Sequence, residues 1–103
     1  MTGLSNGGGC SWEYASFSPA YANRLAGIVP ICGSTWPNAQ RARIIADANL
    51  AVWATHNDLD PIWSVQSTIG WVNLINTVPL PNPLAKITVF QNNSSHDAWS
   101  VYL

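Results

Sequence analysis

Charge is what this sequence has least of. Lys and Arg number four and Asp and Glu five, 9% of 103 residues, with a net charge of −1. An ordinary soluble domain carries about 25%. So few cations leave no patch to neutralise phosphates, which excludes a nucleic acid or an anionic membrane as partner. No apolar run reaches the roughly 20 residues of a membrane span. Cys10 and Cys32 are the only cysteines, too few for a disulfide framework; whether they pair stays open. His56 and His96 stand alone, with no C-x-x-C or H-x-x-x-H spacing, so neither metal nor cofactor is expected. Met1 leads straight into a glycine-rich turn, with no charged and then apolar leader. The compartment is left undetermined.

Apolar residues are plentiful: 48% of the chain, with six tryptophans. The length suits one small domain. A free-standing domain of this size usually carries more surface charge. Part of its surface is therefore expected to serve as interior in something larger.

The most informative stretch is Gly3-Leu4-Ser5-Asn6-Gly7, followed by Gly8 and Gly9. This is a G-x-S-x-G nucleophile elbow, in which a serine sits on a strained strand-to-helix turn between residues of little bulk. Gly3 and Gly7 supply that lack of bulk. Asn6 supplies the next backbone N–H, a candidate oxyanion donor, and the following helix points its positive end at the same place. The competing reading is a flexible glycine linker.

Beyond the elbow, helix and strand alternate. Residues 10–17 continue the elbow helix until Ser18-Pro19 breaks it. Residues 20–25 suit a short helix, and 26–32 a buried strand. A helix over 39–48 leads to an apolar strand over 50–55, and the loop 56–61 follows. Helical periodicity covers 62–78; Pro79, Pro81 and Pro83 then hold an extended connector. Lys86–Phe90 reads as a third strand, 91–95 as a polar loop, and 97–103 as the start of a last helix. Such alternation predicts an α/β fold of about three parallel strands with crossover helices, buried on both faces. Chemistry in these sheets collects at the carboxyl ends of strands.

Asp60 and His96 fall at such ends, as Ser5 would if a strand preceded it, in the order nucleophile, acid, base of the α/β-hydrolase arrangement. A serine hydroxyl needs a base to take its proton. Imidazole does so near neutral pH, and a carboxylate must orient that ring. His56, directly after a strand, reads instead as a loop-shaping residue. Asp97 adjoins His96 too closely to orient it and reads as a helix cap. Asp58 reads as a solvated or turn-forming acid, which leaves Asp60, followed by Pro61, as the third member. Trp12, Trp36 and Trp99 are weighed as walls of an acyl pocket against the commoner core role.

Four segments carry a resemblance: residues 3–9, Val29-Pro30-Ile31-Cys32-Gly33, Val52-Trp53-Ala54-Thr55-His56 with Asp60-Pro61, and Ser95-His96-Asp97-Ala98-Trp99. In this order they resemble the polyhydroxybutyrate depolymerase and feruloyl-esterase-like, phospholipase/carboxylesterase-like branch of the α/β hydrolases. That resemblance implies Ser5 as nucleophile, Asp60 as the acid of a His-Gly-x-x-Asp motif, and His96 as the base of a Gly-His-Asp-x-Trp motif. Asn57 and Ser95 depart from it, standing where the family commonly has glycine. The family's strands before the elbow are also missing. The resemblance thus implies that residues 1–103 are a single partial domain, the C-terminal part of a hydrolase lacking the N-terminal half of its sheet and cut at the last helix.

The implied activity is carboxylic-ester hydrolysis through an acyl-enzyme, on a small or polymeric ester, with the isolated chain weakly active or inactive. Relatives of this kind are often secreted. Two alternatives stay open: a non-catalytic module that completes its sheet with a second copy or a partner chain through an exposed edge, and a serine peptidase of the same superfamily.

Overall fold

The computed structural model describes residues 1–98. Its elements run β1 (Thr2–Leu4), α1 (Asn6–Phe17), α2 (Pro19–Ala22), β2 (Gly27–Ile31), α3 (Ala39–Asp47), β3 (Ala51–Asn57), α4 (Val65–Ile75) and β4 (Lys86–Phe90). The strands form one sheet in the order β1-β2-β3-β4, parallel throughout. The α/β class and the crossover helices are as the sequence indicates, with four strands in place of three. The additional strand is β1. It is only three residues long, and no periodicity marks it. Pairing fixes it, with Thr2, Gly3 and Leu4 opposite Val29, Pro30 and Ile31. Ser5 therefore does follow a strand.

Neighbouring parallel strands taken in chain order need right-handed crossovers, which put every helix on one side. α1 packs on β1 and β2, α4 packs on β3 and β4, and α3 touches both helices. Ile28, Pro30, Val52 and Ala54 point into this layer and are buried. Val29 and Trp53, on alternate positions, are exposed. Burial on both faces is thus corrected: among the described residues, no helix covers the second face.

The core lies between sheet and helices. At its centre Trp12 of α1 and Trp71 of α4 stack with ring centroids 4.6 Å apart and planes 2° from parallel, both fully buried. This stack joins the helix that carries the elbow to the helix behind the acid loop. Side-chain caps set helix ends: Ser18, Asn38 and Ser64 each accept from a backbone N–H in the first turn of α2, α3 and α4. α4 stops at Asn76, whose side-chain amide pairs with both N–H and C=O of Ala85 and so leads the proline connector into β4. Cys10 is exposed and Cys32 buried, and both are free thiols. The last helix expected over 97–103 falls largely outside the described residues.

Candidate active site

The carboxyl ends of β1, β3 and β4 converge. Ser5 follows β1 and serves as the N-cap position of α1 with φ 53° and ψ −112°, a left-handed backbone that costs about 1–3 kcal/mol in a non-glycine residue. Its surroundings hold it there. Ser5 N–H donates to Ile31 O at 2.9 Å, and Ser5 O accepts from Gly9 N–H at 2.9 Å. Tightness is unevenly shared among the glycines. A Cβ on Gly3 would lie 2.3 Å from the Gly7 carbonyl carbon and oxygen, and one on Gly8 would lie 2.9 Å from Ile31 O and Gly33 Cα; at Gly7 nothing lies within 4 Å. The lack of bulk is therefore needed at Gly3 and Gly8, and the sequence reading of Gly7 is corrected. Asn6 opens α1, so its N–H has no acceptor one helical turn earlier.

Asp60 sits in the turn after β3. Its side chain is wholly buried, whereas that of His96 is 19% exposed. Oδ1 accepts from Ile62 N–H at 2.8 Å and Trp63 N–H at 3.0 Å. Oδ2 accepts from His96 Nδ1 at 2.6 Å. On the far side of the ring, His96 Nε2 lies 2.8 Å from Ser5 Oγ. A carboxylate accepts only, so Nδ1 carries the proton and Nε2 is free to accept from the serine hydroxyl. The chain Ser5–His96–Asp60 is thus continuous across three loops. Burial alone would raise the Asp60 pKa. The Trp63 amide, the His96 hydrogen bond and the Ile62 amide outweigh it, and the net shift is downward.

His56 does more than shape a loop. It is the sixth residue of β3, fully buried, with Nε2 donating to Trp63 O at 2.7 Å and Nδ1 accepting from Thr68 Oγ1 at 2.9 Å. Nε2 also lies 3.3 Å from Asp60 Oδ2. Desolvation lowers its pKa, against the raising influence of the Trp63 carbonyl and Asp60. His56 is therefore a neutral brace under the acid turn. Asp58 takes no part in the Ser5–His96 chain. Its two carboxylate oxygens accept from Asn92 and Asn93 N–H at 2.9 and 3.0 Å. These amides depress its pKa and tie down the entry to the His96 loop.

Against solved structures, the chain superposes on a thermostable esterase with TM-score 0.72 and 24% identity, over 89% of this chain and 22% of the esterase. It superposes on a Klebsiella pneumoniae protein assigned as a dienelactone hydrolase with TM-score 0.60 and 19% identity, over 99% of this chain and 43% of the other. Both neighbours are α/β hydrolases. The likeness is one of fold: the chain has the fold of part of an α/β hydrolase. It spans less than half the length of either of these proteins. No protein-family model and no curated protein matches the sequence.

Trp12 is core. Trp36 is 56% exposed and tilts against Trp63 with centroids 6.1 Å apart; Trp99 lies outside the described residues. Cys32, buried beside the elbow with φ 42°, donates its N–H to Thr55 O at 2.8 Å; burial pushes its thiol pKa up, which marks it as packing. One contributor escaped the sequence reading. Ser34, after β2, donates to Asn6 Oδ1 at 2.9 Å and so holds the residue beside Ser5. A lone serine in a loop carries no signal that would have found it.

Proposed function

We propose that this chain carries the catalytic apparatus of a serine hydrolase acting on carboxylic esters. The observation that supports it is the unbroken hydrogen-bond chain from Ser5 Oγ through His96 to Asp60. Ser5 Oγ attacks the ester carbonyl as His96 Nε2 takes its proton. The tetrahedral oxyanion turns toward the Asn6 N–H at the start of α1. His96 then returns the proton to the departing alcohol, leaving Ser5 acylated, and water attacks by the same route in reverse. Asp60 keeps its charge throughout and holds the imidazolium.

The resemblance in the elbow, the acid turn and the histidine loop favours an ester over a peptide, with polyhydroxybutyrate or feruloyl esters as the leading class. Asn6 is the one oxyanion donor assigned among the described residues. Losing one such donor costs about 100-fold or more in turnover, so slow turnover is expected of residues 1–103 alone. The test is p-nitrophenyl acetate with acid quench and mass spectrometry. Acetyl on Ser5, absent in Ser5→Ala, is the expected result; no acetylation, or acetylation unaffected by Ser5→Ala, contradicts the reading.

A second reading rests on a separate observation, the sheet face that exposes Val29 and Trp53 and that no helix covers among the described residues. We propose this face and the β1 edge as the surface on which a second copy or a partner chain would complete the sheet. A monomer by light scattering that leaves hydrophobic dyes dark would count against it.

A further inference from the structure

His96 lies in a segment with neither helix nor strand. No ladder of backbone bonds orders such a segment, yet a general base must be held to within about 0.5 Å of its working position. Within the loop, Ser95 N–H donates to Asn93 Oδ1 and Asp97 N–H to Ser95 Oγ, each at 3.0 Å; further bonds tie the loop to the end of β3. Asp58 and Leu59 secure its entry: the Asp58 carboxylate takes the Asn92 and Asn93 amides, and Leu59 N–H donates to Asn93 O at 3.1 Å. The end that carries His96 is held from a different residue.

Asn57 closes β3 and is wholly buried. Its Nδ2 donates to Ser95 O at 2.8 Å and to Asp97 O at 2.9 Å. These carbonyls belong to the residues immediately before and after His96. Both can only accept, so the NH2 end of the amide must face them, and its orientation is fixed. Its Oδ1 is then left buried with no partner among the described residues, a local cost of the kind found at functional sites. A glycine, the residue that the resemblance leads one to expect here, has no amide to offer. The strand below is firm, since Asn57 pairs with Phe90 and His56 with Val89 across β3 and β4.

We propose that Asn57 is a positioning residue, clamping the backbone on both sides of His96 so that its imidazole stays between Ser5 and Asp60. The proposal rests on the reading of His96 as the general base. Asn57 touches no reacting atom. It acts by restricting the backbone torsions that would swing the ring away from Ser5. The clamp also ties the base loop to the strand that leads into the acid turn, so base and acid are referred to one rigid element.

The experiment uses the whole chain and the variant Asn57→Ala. One readout is the rate of Ser5 modification by a fluorophosphonate, located by peptide mapping. The other is the far-downfield proton resonance of His96 Nδ1–H, which reports the bond to Asp60 without any chemistry at Ser5. Circular dichroism and the His56 ring signals report folding. Asn57→Ala is expected to keep the His56 signals, lose the downfield resonance, and slow modification about 10- to 100-fold, as small misplacements of catalytic groups do.

Should Asn57→Ala fail to fold, Asn57→Ser, with a single shorter donor, is expected to weaken the resonance and slow modification. A folded Ala or Ser variant that keeps both the resonance and the wild-type rate overturns the clamp while leaving the hydrolase reading standing. A wild type that resists modification yet shows the resonance, lost in Asn57→Ala, supports the clamp and counts against the hydrolase reading.

Discussion

The two glycines of the elbow pattern look equivalent in sequence and should respond to the same substitution with opposite signs. A methyl on Gly3 would sit 2.3 Å from both the carbonyl carbon and the oxygen of Gly7, where carbon atoms ordinarily stay about 3.5–4.0 Å apart. The overlap exceeds about 1 Å, and the atoms struck are backbone in the first turn of α1. They cannot rotate aside as a side chain would. Either β1 leaves β2 or α1 shifts. Overpacking a core costs about 1–3 kcal/mol when side chains can adjust, so Gly3→Ala should cost about 3 kcal/mol or more. At about 4–8 °C per kcal/mol for a domain of this size, its Tm falls by about 12–24 °C. Gly7 is helical, and a methyl there meets nothing within 4 Å. Alanine is better in a helix than glycine by roughly 0.5–1 kcal/mol, so Gly7→Ala should raise Tm by about 2–8 °C. Thermal melts at neutral pH followed by circular dichroism decide the matter. Equal losses, or a larger loss for Gly7→Ala, would refute the assignment of the crowding to Gly3.

Two further predictions concern stability. His56 is buried and neutral, with a folded pKa below its unfolded value of about 6.5. The unfolded chain therefore takes up a proton as pH falls through about 6.5 and the folded chain does not. Stability is complete above that pH and declines below it by up to about 1.4 kcal/mol per pH unit; urea midpoints measured from pH 7.5 to 5 should show the slope, and His56→Gln should lack it. Trp12 is fully buried against Trp71, and its indole Nε1 has no partner among the described residues. Trp12→Ala should cost about 3–5 kcal/mol, and Trp12→Phe, which keeps a six-membered ring and sheds the unpaired N–H but leaves a smaller void, should cost less; similar midpoints for the two would count against the stack as the centre of the core.

Much of this arrangement was legible because it is local. The strand Lys86–Phe90 is an uncharged β-branched run after its first residue, and α3 opens at a capping asparagine. The stretch around Ser5 is a pattern with its own mechanics. What sequence missed depends on pairing. Thr2–Leu4 becomes a strand only by lying along β2. His56 and Asn57 read as loop because they are polar, yet β3 continues through both as they pair with β4. The helical periodicity over 62–78 overran α4 at both ends. Asp60 turns the backbone at Ile62 and Trp63, Ser64 caps the helix, and Asn76 closes it onto Ala85. Of the two acids in this turn, Asp60 lies 2.6 Å from His96 Nδ1, whereas Asp58 accepts from the Asn92 and Asn93 amides. The part played by its neighbours His56, Asp58 and Asn57 was hidden, because each acts through atoms distant in sequence.

The account turns on whether Ser5 is an activated nucleophile. The most direct measurement is exposure of the chain to a fluorophosphonate at neutral pH, followed by peptide mapping of the adduct. Modification at Ser5, and its loss in both His96→Ala and Asp60→Asn while the exposed Cys10 and the other serines stay unmodified, is the result expected. An unmodified Ser5 in the folded protein, or a Ser5 that reacts equally well without His96, would contradict it.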